Sequence, residues 1–241
     1  MNIAAINAVQ ICARGIFVTF FLLLSACSLP RPAQAPVVYD FGPGARQQAA
    51  THRMAPLPPL EVSAPRANAA LSGQAVLYRL TYADAQALKP YTLARWSMPP
   101  AQLIDQRLRE QLGLRRAVLG TGELMPTPAA RRAASAAAGT AALAPSVSTA
   151  VPMNLRLELE EFSQLFDTPE QSHALLRLRA TLTRRSAGGD TLLAQRSFVV
   201  QLAAATADAA GGVRALAAAA DQAVSEIERW LEQVPAAERT P

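Results

Sequence analysis

The 241-residue chain is poor in the side chains on which metal and redox centres depend. It has two cysteines and two histidines, so neither a four-cysteine zinc site nor a three-histidine metal site can form within one chain. Two cysteines also exclude a disulfide-rich scaffold. Charged residues make up 17% of the chain and aromatic residues 5%. The 51% hydrophobic content argues against a fully disordered protein.

Lysine is nearly absent. Lys89 is the single lysine beside 22 arginines, and alanine accounts for 51 residues. The formal charge of +5 by itself is compatible with nucleic acid or an anionic membrane as a partner.

Residues 1–26 are predicted to be a secretory signal peptide. Arg14 precedes an uncharged apolar run at 15–24, which is too short for a hydrocarbon core that needs roughly 20 residues. The sequence Leu24-Ser-Ala-Cys27 resembles the bacterial lipobox. That resemblance implies that Cys27 is diacylated, becomes the new amino terminus and is acylated again. Ser28 in the next position, by the same resemblance, favours the outer membrane.

Cleavage changes the composition in two ways. Removing 26 residues, among them Cys12 and Arg14, leaves 215 residues and lowers the formal charge from +5 to +4. The remaining cysteine carries lipid, and three acyl chains at about 0.8 kcal/mol per buried methylene form a durable anchor. We therefore expect a periplasmic domain without a disulfide and without nucleic acid as a partner.

The mature chain divides into a lipidated tether, one domain and a short tail. Residues 27–36 hold three prolines and are predicted to be an extended tether. The domain is expected over 37–234, followed by a tail at 235–241. An alanine-rich stretch at about 126–150 reads either as a helix of high intrinsic propensity or as a low-complexity insertion, and we favour the insertion.

Alternating apolar residues predict most of the strands. Short strands are expected at 37–41, 60–63 and 115–119, and the pieces at 76–82 and 89–96 are compatible with a hairpin. Strands at 155–160, 174–182 and 192–202 are expected to form an antiparallel meander with a turn at 186–190.

Two helices complete the predicted fold. Pro99-Pro100 begins a helix to about Leu112, and a longer helix runs from Asp208 to about Val234. The first turn of the longer helix is uncertain because it contains Gly211-Gly212. Together the elements predict one compact α/β domain, a mixed and largely antiparallel sheet packed by two main helices.

Residues of catalytic type are few and poorly arranged. His52 and His173 are interpreted as solvated surface residues, and no nucleophile elbow or phosphate-binding loop is present. Glu158 and Glu160 alternate with leucines on a strand that also carries Arg156. A cross-strand charge ladder with Arg177 or Arg179 explains them better than a metal cluster.

Tyr91, Arg95 and Trp96 stand out as a candidate partner surface. Arginine and tryptophan are enriched at interface hot spots, and Trp96 is one of only two tryptophans. The alternative, that Trp96 fills the junction between a strand and the helix at Pro100, is about equally well supported.

A set of motifs in order and spacing resembles the ABC-type transport auxiliary lipoproteins, the PqiC-like family. The motifs are the lipobox, Tyr39-Asp-Phe-Gly-Pro43, Leu80-Thr-Tyr82, Arg95-Trp-Ser-Met-Pro-Pro-Ala-Gln-Leu103 with Gln106-Arg-Leu108, Leu159-Glu-Glu-Phe-Ser-Gln-Leu-Phe166, Leu178-Arg-Ala-Thr-Leu182 and Ala209-Ala-Gly-Gly-Val213. The resemblance implies a fold like the anticodon-binding domains and no catalytic residue or cofactor.

The same resemblance implies an auxiliary component of a lipid transport system between the two membranes. Its partners would be an MCE-domain protein, an inner-membrane permease and, in some systems, an ATPase, while homo-oligomerisation stays open. Two alternatives remain: an assembly lipoprotein for lipopolysaccharide or barrel proteins, and a periplasmic lipid hydrolase. The hydrolase needs a nucleophile for which neither histidine is well placed.

Overall fold

The longest run of alternating leucines forms the strand around which the sheet is built. A computed structural model describes residues 34–43, 57–121, 153–186 and 189–237. The predicted signal peptide, Cys27, His52 and the stretch at 126–150 lie outside these ranges. The strands are β1 Val37–Tyr39, β2 Leu60–Val62, β3 Arg66–Ala67, β4 Ala75–Leu80, β5 Asp84–Trp96, β6 Val118–Leu119, β7 Met153–Phe166, β8 Ser172–Ser186 and β9 Gly189–Ala203. The helices are α1 Pro100–Gly113 and α2 Ala209–Ala237, with a 3-10 turn at Ala69–Leu71.

Strand β7 has different neighbours along its two edges. On one edge it pairs antiparallel with β8, which pairs antiparallel with β9. Along the other edge β2, β3 and β4 follow one another, each parallel to β7. Beyond them β6 pairs with β2, β5 pairs antiparallel with β4, and β1 runs parallel to β5. The sheet is therefore mixed, and the predicted meander and hairpin are both confirmed.

A β-bulge in β7 changes which residues face the helices. Leu159 pairs with Leu178 and Glu161 pairs with Arg177, so Glu160 is the extra residue. Odd-numbered residues such as Leu157 face the helices before the bulge, and even-numbered residues face them after it. The even-numbered set is Phe162, Gln164 and Phe166.

Both helices cover the same face of the sheet, as the fold class predicts. The stripe of α1 is buried, and so is that of α2 up to Leu231. These side chains meet the inward leucines of β7 and β8 in one core: Leu103, Ile104, Leu108, Leu112, Val213, Leu216, Ala220, Val224, Ile227 and Leu231. Helix α2 continues to Ala237, three residues into the predicted tail, because Ala236 and Ala237 favour helix and helix ends vary by one or two residues.

The opposite face of the sheet, which we call the open face, carries the predicted charge ladder. Arg179 Nη1 lies 3.6 Å from Glu158 Oε2 and its Nη2 contacts Glu160. Arg79 pairs with Glu161 at 3.1 Å. Paired charges of this kind keep a sheet surface hydrated.

Candidate functional site

The segment that leaves β1 is held by an arginine of α1. Arg107 Nη2 donates hydrogen bonds to the carbonyl oxygens of Phe41 (2.7 Å) and Gly42 (3.2 Å). Its Nε lies 3.2 Å from Asp221 Oδ1 on α2. The Arg107 side chain is only 11% exposed. One guanidinium therefore ties β1 to both helices, and we call this arrangement the Arg107 clamp.

Three aromatic rings form the floor beneath the clamp. Phe41 meets Trp96 edge to face with ring centroids 5.6 Å apart, and both rings contact Phe162. Trp96 is 1% exposed. Edge-to-face aromatic pairs add specificity to burial. The chain after β1 is therefore fixed both by packing against these rings and by its hydrogen bonds to Arg107.

A groove surrounds the clamp. It consists of two adjoining cavities of about 260 and 510 Å³ that share Asp40, Phe41 and Gly42. The α1 side mixes polar and apolar side chains, whereas the α2 side is formed by small apolar residues together with Arg214 and Asp221. Burial raises the pKa of Asp221 above its ordinary value, and Arg107 opposes that rise. The groove has the size of a ligand pocket but an amphipathic lining.

A buried glutamine connects β5, β7 and β8 to the start of α2. Tyr91 donates a hydrogen bond to Gln164 Oε1 at 2.8 Å, and Gln164 Nε2 donates to Ser172 Oγ at 2.7 Å. Gln164 is completely buried. Burial, followed by Tyr78 and Asp208, raises the pKa of Tyr91 above its ordinary value. The sequence signal for Gln164 was hidden by the bulge, which moves this polar residue to the helix side.

The uncertain first turn of α2 has a defined structure. Asp208 Oδ1 accepts a hydrogen bond from the Gly211 N–H at 2.6 Å, an N-cap interaction. That bond, with a second from Thr206 Oγ1, lowers the pKa of Asp208. A Cβ at Gly211 would overlap the Thr206 carbonyl, and a Cβ at Gly212 would overlap Gln164 Oε1. Both positions therefore require glycine, because the first turn of α2 approaches Thr206 and Gln164 too closely for a Cβ atom.

The predicted partner surface is corrected by these contacts. Trp96 is buried in the core, so the alternative in which it fills the strand–helix junction is the correct one. Tyr91 is half-buried and its hydroxyl points to Gln164. Of the three predicted residues only Arg95 is exposed. Tryptophan's preference for interfaces was outweighed by its large apolar area next to two phenylalanines.

The other candidate polar residues are explained by local pairing. His173 Nδ1 lies 2.8 Å from Asp167 Oδ2, beside the turn between β7 and β8. Glu158 and Glu160 pair with Arg179. Within the described ranges no group of three or more histidine, cysteine, aspartate or glutamate residues is arranged to hold a metal ion. Among those same residues, no helix is both long enough and apolar enough to cross a membrane.

The sheet and the two helices around this groove define the class of fold, which is a mixed α/β domain with both helices on one face of the sheet. It is similar to the crystal structure of protein XCC0632 from Xanthomonas campestris, which is described as DUF330. The TM-score is 0.55 at 17% identity, over 88% of this chain and 94% of that one. A crystal structure of an uncharacterized protein matches with a TM-score of 0.52 at 15% identity, over 82% of this chain and 99% of that one.

No protein-family model matches the sequence, and no curated protein matches it. The similar structures are too distant in sequence to carry more than the fold, and for the fold they confirm the predicted class. The likeness to anticodon-binding domains stays a prediction.

Proposed function

We propose that the protein is an outer-membrane lipoprotein facing the periplasm, and that it serves as the auxiliary component of an MCE-type lipid transport system. The lipobox ending at Cys27 supports the anchor, and Ser28 supports the outer membrane as its destination. In this role the acyl chains hold the domain at the outer membrane. The domain binds the periplasmic end of an MCE assembly, whose permease and ATPase belong to the inner membrane.

One structural observation carries the proposal beyond the lipobox. The motifs on which the family resemblance depends are far apart in the sequence but converge in space. Phe41 belongs to the Tyr39–Pro43 motif, Trp96 to the Arg95–Leu103 motif and Arg107 to the Gln106–Leu108 segment that follows it, and they meet at the clamp. Residues shared for a common architecture are expected to support one another in this way, so the contacts support the resemblance.

The domain's chemistry is compatible with binding as its activity. The open face presents charges in pairs, and the groove offers an amphipathic lining around a rigid clamp. Specific docking of proteins depends on such preorganised polar and apolar contacts. The proposal therefore needs a partner and no reacting side chain.

A clean deletion tests the function. We expect greater sensitivity to detergent or organic solvent, restored by the wild-type gene and not by Cys27→Ala, which keeps the domain but removes the acyl site. Photo-crosslinkers at exposed positions such as Leu114 should recover an MCE-domain protein. Full envelope integrity in the deletion strain, with no MCE protein cross-linked, contradicts the proposal. Recovery of an outer-membrane barrel protein instead supports the assembly-lipoprotein alternative.

A further inference from the structure

The strand that follows the predicted tether carries part of an exposed apolar patch. Seven large hydrophobic side chains are strongly exposed among the described residues, and two of them, Val38 (51%) and Leu93 (46%), lie on the adjacent strands β1 and β5. The parallel register places Val38 beside Arg95. We call Val38, Leu93 and Arg95 the β1 patch.

The patch points in one direction. Side chains alternate along a strand, so Leu93 and Arg95 share a face of β5, and Val38 lies beside Arg95 on that same face. Trp96, the next residue, points to the helices. The patch therefore extends the open face at the β1 edge, where no helix within the described ranges covers it.

Arg95 is the charged residue of the patch. Its side chain makes no ion pair or hydrogen bond with the residues that the structure describes. Asp40, two residues after Val38, accepts a hydrogen bond from the Gly42 N–H at 2.7 Å. An arginine among exposed aliphatic side chains suits a membrane interface, because its stem lies along apolar surface while its guanidinium reaches the headgroups.

The length of the tether brings this patch to the membrane. Val37 lies ten positions after Cys27, and ten residues span at most about 35 Å when fully extended. A compact domain of this size has a radius of gyration of about 17 Å. The tether is thus no longer than the domain is wide, and the anchor holds the β1 edge at a high effective concentration near lipid.

We propose that the β1 patch contacts the phospholipid surface and orients the domain, with Arg95 binding anionic headgroups. This contact rests on the acylation of Cys27 that the proposed function requires. It gives Arg95 a lipid partner and leaves the MCE assembly to surfaces farther from β1.

Site-directed spin labelling of the acylated full-length lipoprotein tests the contact. After cleavage the only cysteine is the acylated Cys27, so a label can be placed at Val38→Cys or Leu93→Cys without a competing thiol. Val199→Cys is the matched control, a valine 53% exposed on β9. The protein is reconstituted into vesicles of phosphatidylethanolamine with phosphatidylglycerol, and each label is relaxed by oxygen, which concentrates in lipid, or by a water-soluble nickel chelate.

We expect oxygen to dominate at Val38 and Leu93 and the nickel chelate to dominate at Val199. Arg95→Gln should lower the ratio of lipid-contacting label to water-exposed label by about fivefold in these vesicles, because one charge near an anionic surface contributes an effect of that size. In vesicles of phosphatidylcholine alone the substitution should leave the ratio unchanged. Acylation is verified by mass spectrometry. If labels at Val38 and Leu93 are then as accessible to the nickel chelate as the label at Val199, the lipid contact is overturned and the proposed function is not affected. Unacylated Cys27 overturns both, and cross-linking of Val38 to an MCE protein overturns the lipid assignment alone.

Discussion

Gly212 lies so close to the side-chain amide of Gln164 that no methyl group fits between them. Gln164 cannot simply turn aside, because Tyr91 and Ser172 hold both of its polar atoms. Gly212→Ala is therefore expected to destabilise the domain by about 1–3 kcal/mol. Gly113→Ala, at the end of α1 with open space around it, is the control. Urea denaturation monitored by circular dichroism measures the difference.

A double-mutant cycle makes that prediction specific. In a Gln164→Ala background the overlap is gone, so adding Gly212→Ala should cost much less than it does alone. Equal costs in both backgrounds would show that backbone entropy, and not the contact with Gln164, determines the effect.

Removing the Tyr91 hydroxyl should destabilise the protein and change its response to alkali. Tyr91→Phe leaves buried Gln164 Oε1 without its partner, at an expected cost of about 1–3 kcal/mol. Because the pKa of Tyr91 is higher in the folded protein than its ordinary value near 10, the unfolded state loses the phenolic proton first. This part of the stability is present below pH 10 and is lost as the pH rises above it.

Spectrophotometric titration checks the sign. In the folded wild-type protein the Tyr91 hydroxyl should titrate above the ordinary tyrosine value, and that late component should be missing in Tyr91→Phe. A late component of the same size in the variant would assign it to another tyrosine. The fall in unfolding free energy above pH 10 should also be shallower in the variant.

Loss of the Arg107 clamp should loosen β1 selectively. Arg107→Met keeps much of the aliphatic stem but removes the hydrogen bonds to Phe41 and Gly42, and we expect a loss of about 2 kcal/mol. Amide hydrogen exchange should become faster in β1. The matched control is Arg214→Met on the rim of the same groove, where the hydrogen bond to Thr206 is long at 3.4 Å. Unchanged β1 exchange in Arg107→Met would mean that pairing with β5 alone holds the strand.

The N-cap of α2 should make stability depend on acid. Asp208→Ala removes the acceptor for the Gly211 N–H and should cost about 1 kcal/mol, whereas Asp208→Asn should cost less because it retains an acceptor. The pKa of Asp208 is lowered on folding, so its contribution is present above the unfolded pKa near 4 and is lost as the pH falls through the folded value. Thermal melts between neutral pH and pH 3 should show a smaller acid-induced drop for Asp208→Asn than for the wild type.

Periodicity predicted most of the elements, but not the two-residue strand β3 or the 3-10 turn after it, and it did not predict the long-range strand partners. Leu155, Leu157 and Leu159 predicted a half-buried strand because one face of the sheet is covered by helices. The same alternation did not predict which residues face the helices after Glu160. The bulge there does not interrupt the hydrophobic pattern, because Phe162 lies only two positions further on.

The site was less predictable than the fold for a related reason. Arg107 looked like one polar residue of an amphipathic helix, and only the position of the Phe41 carbonyl reveals its function. Trp96 was ambiguous because a large aromatic suits both a core and an interface. Contacts with residues distant in sequence decide between the core and the interface, and a single sequence does not show which residues those are.

The central position of β7 has a consequence for the order in which the chain can fold. Strands β2, β3 and β4 are made early but pair with a strand that ends at Phe166. A polypeptide exported amino terminus first, as the proposed function requires, must therefore keep these edges unpaired until about 90 further residues have emerged. Completion of the sheet then depends on contacts between residues far apart in the sequence, and such contacts form slowly. If the proposed export to the periplasm holds, a holding chaperone supplied there should raise the yield of folded protein and leave its free energy of unfolding unchanged.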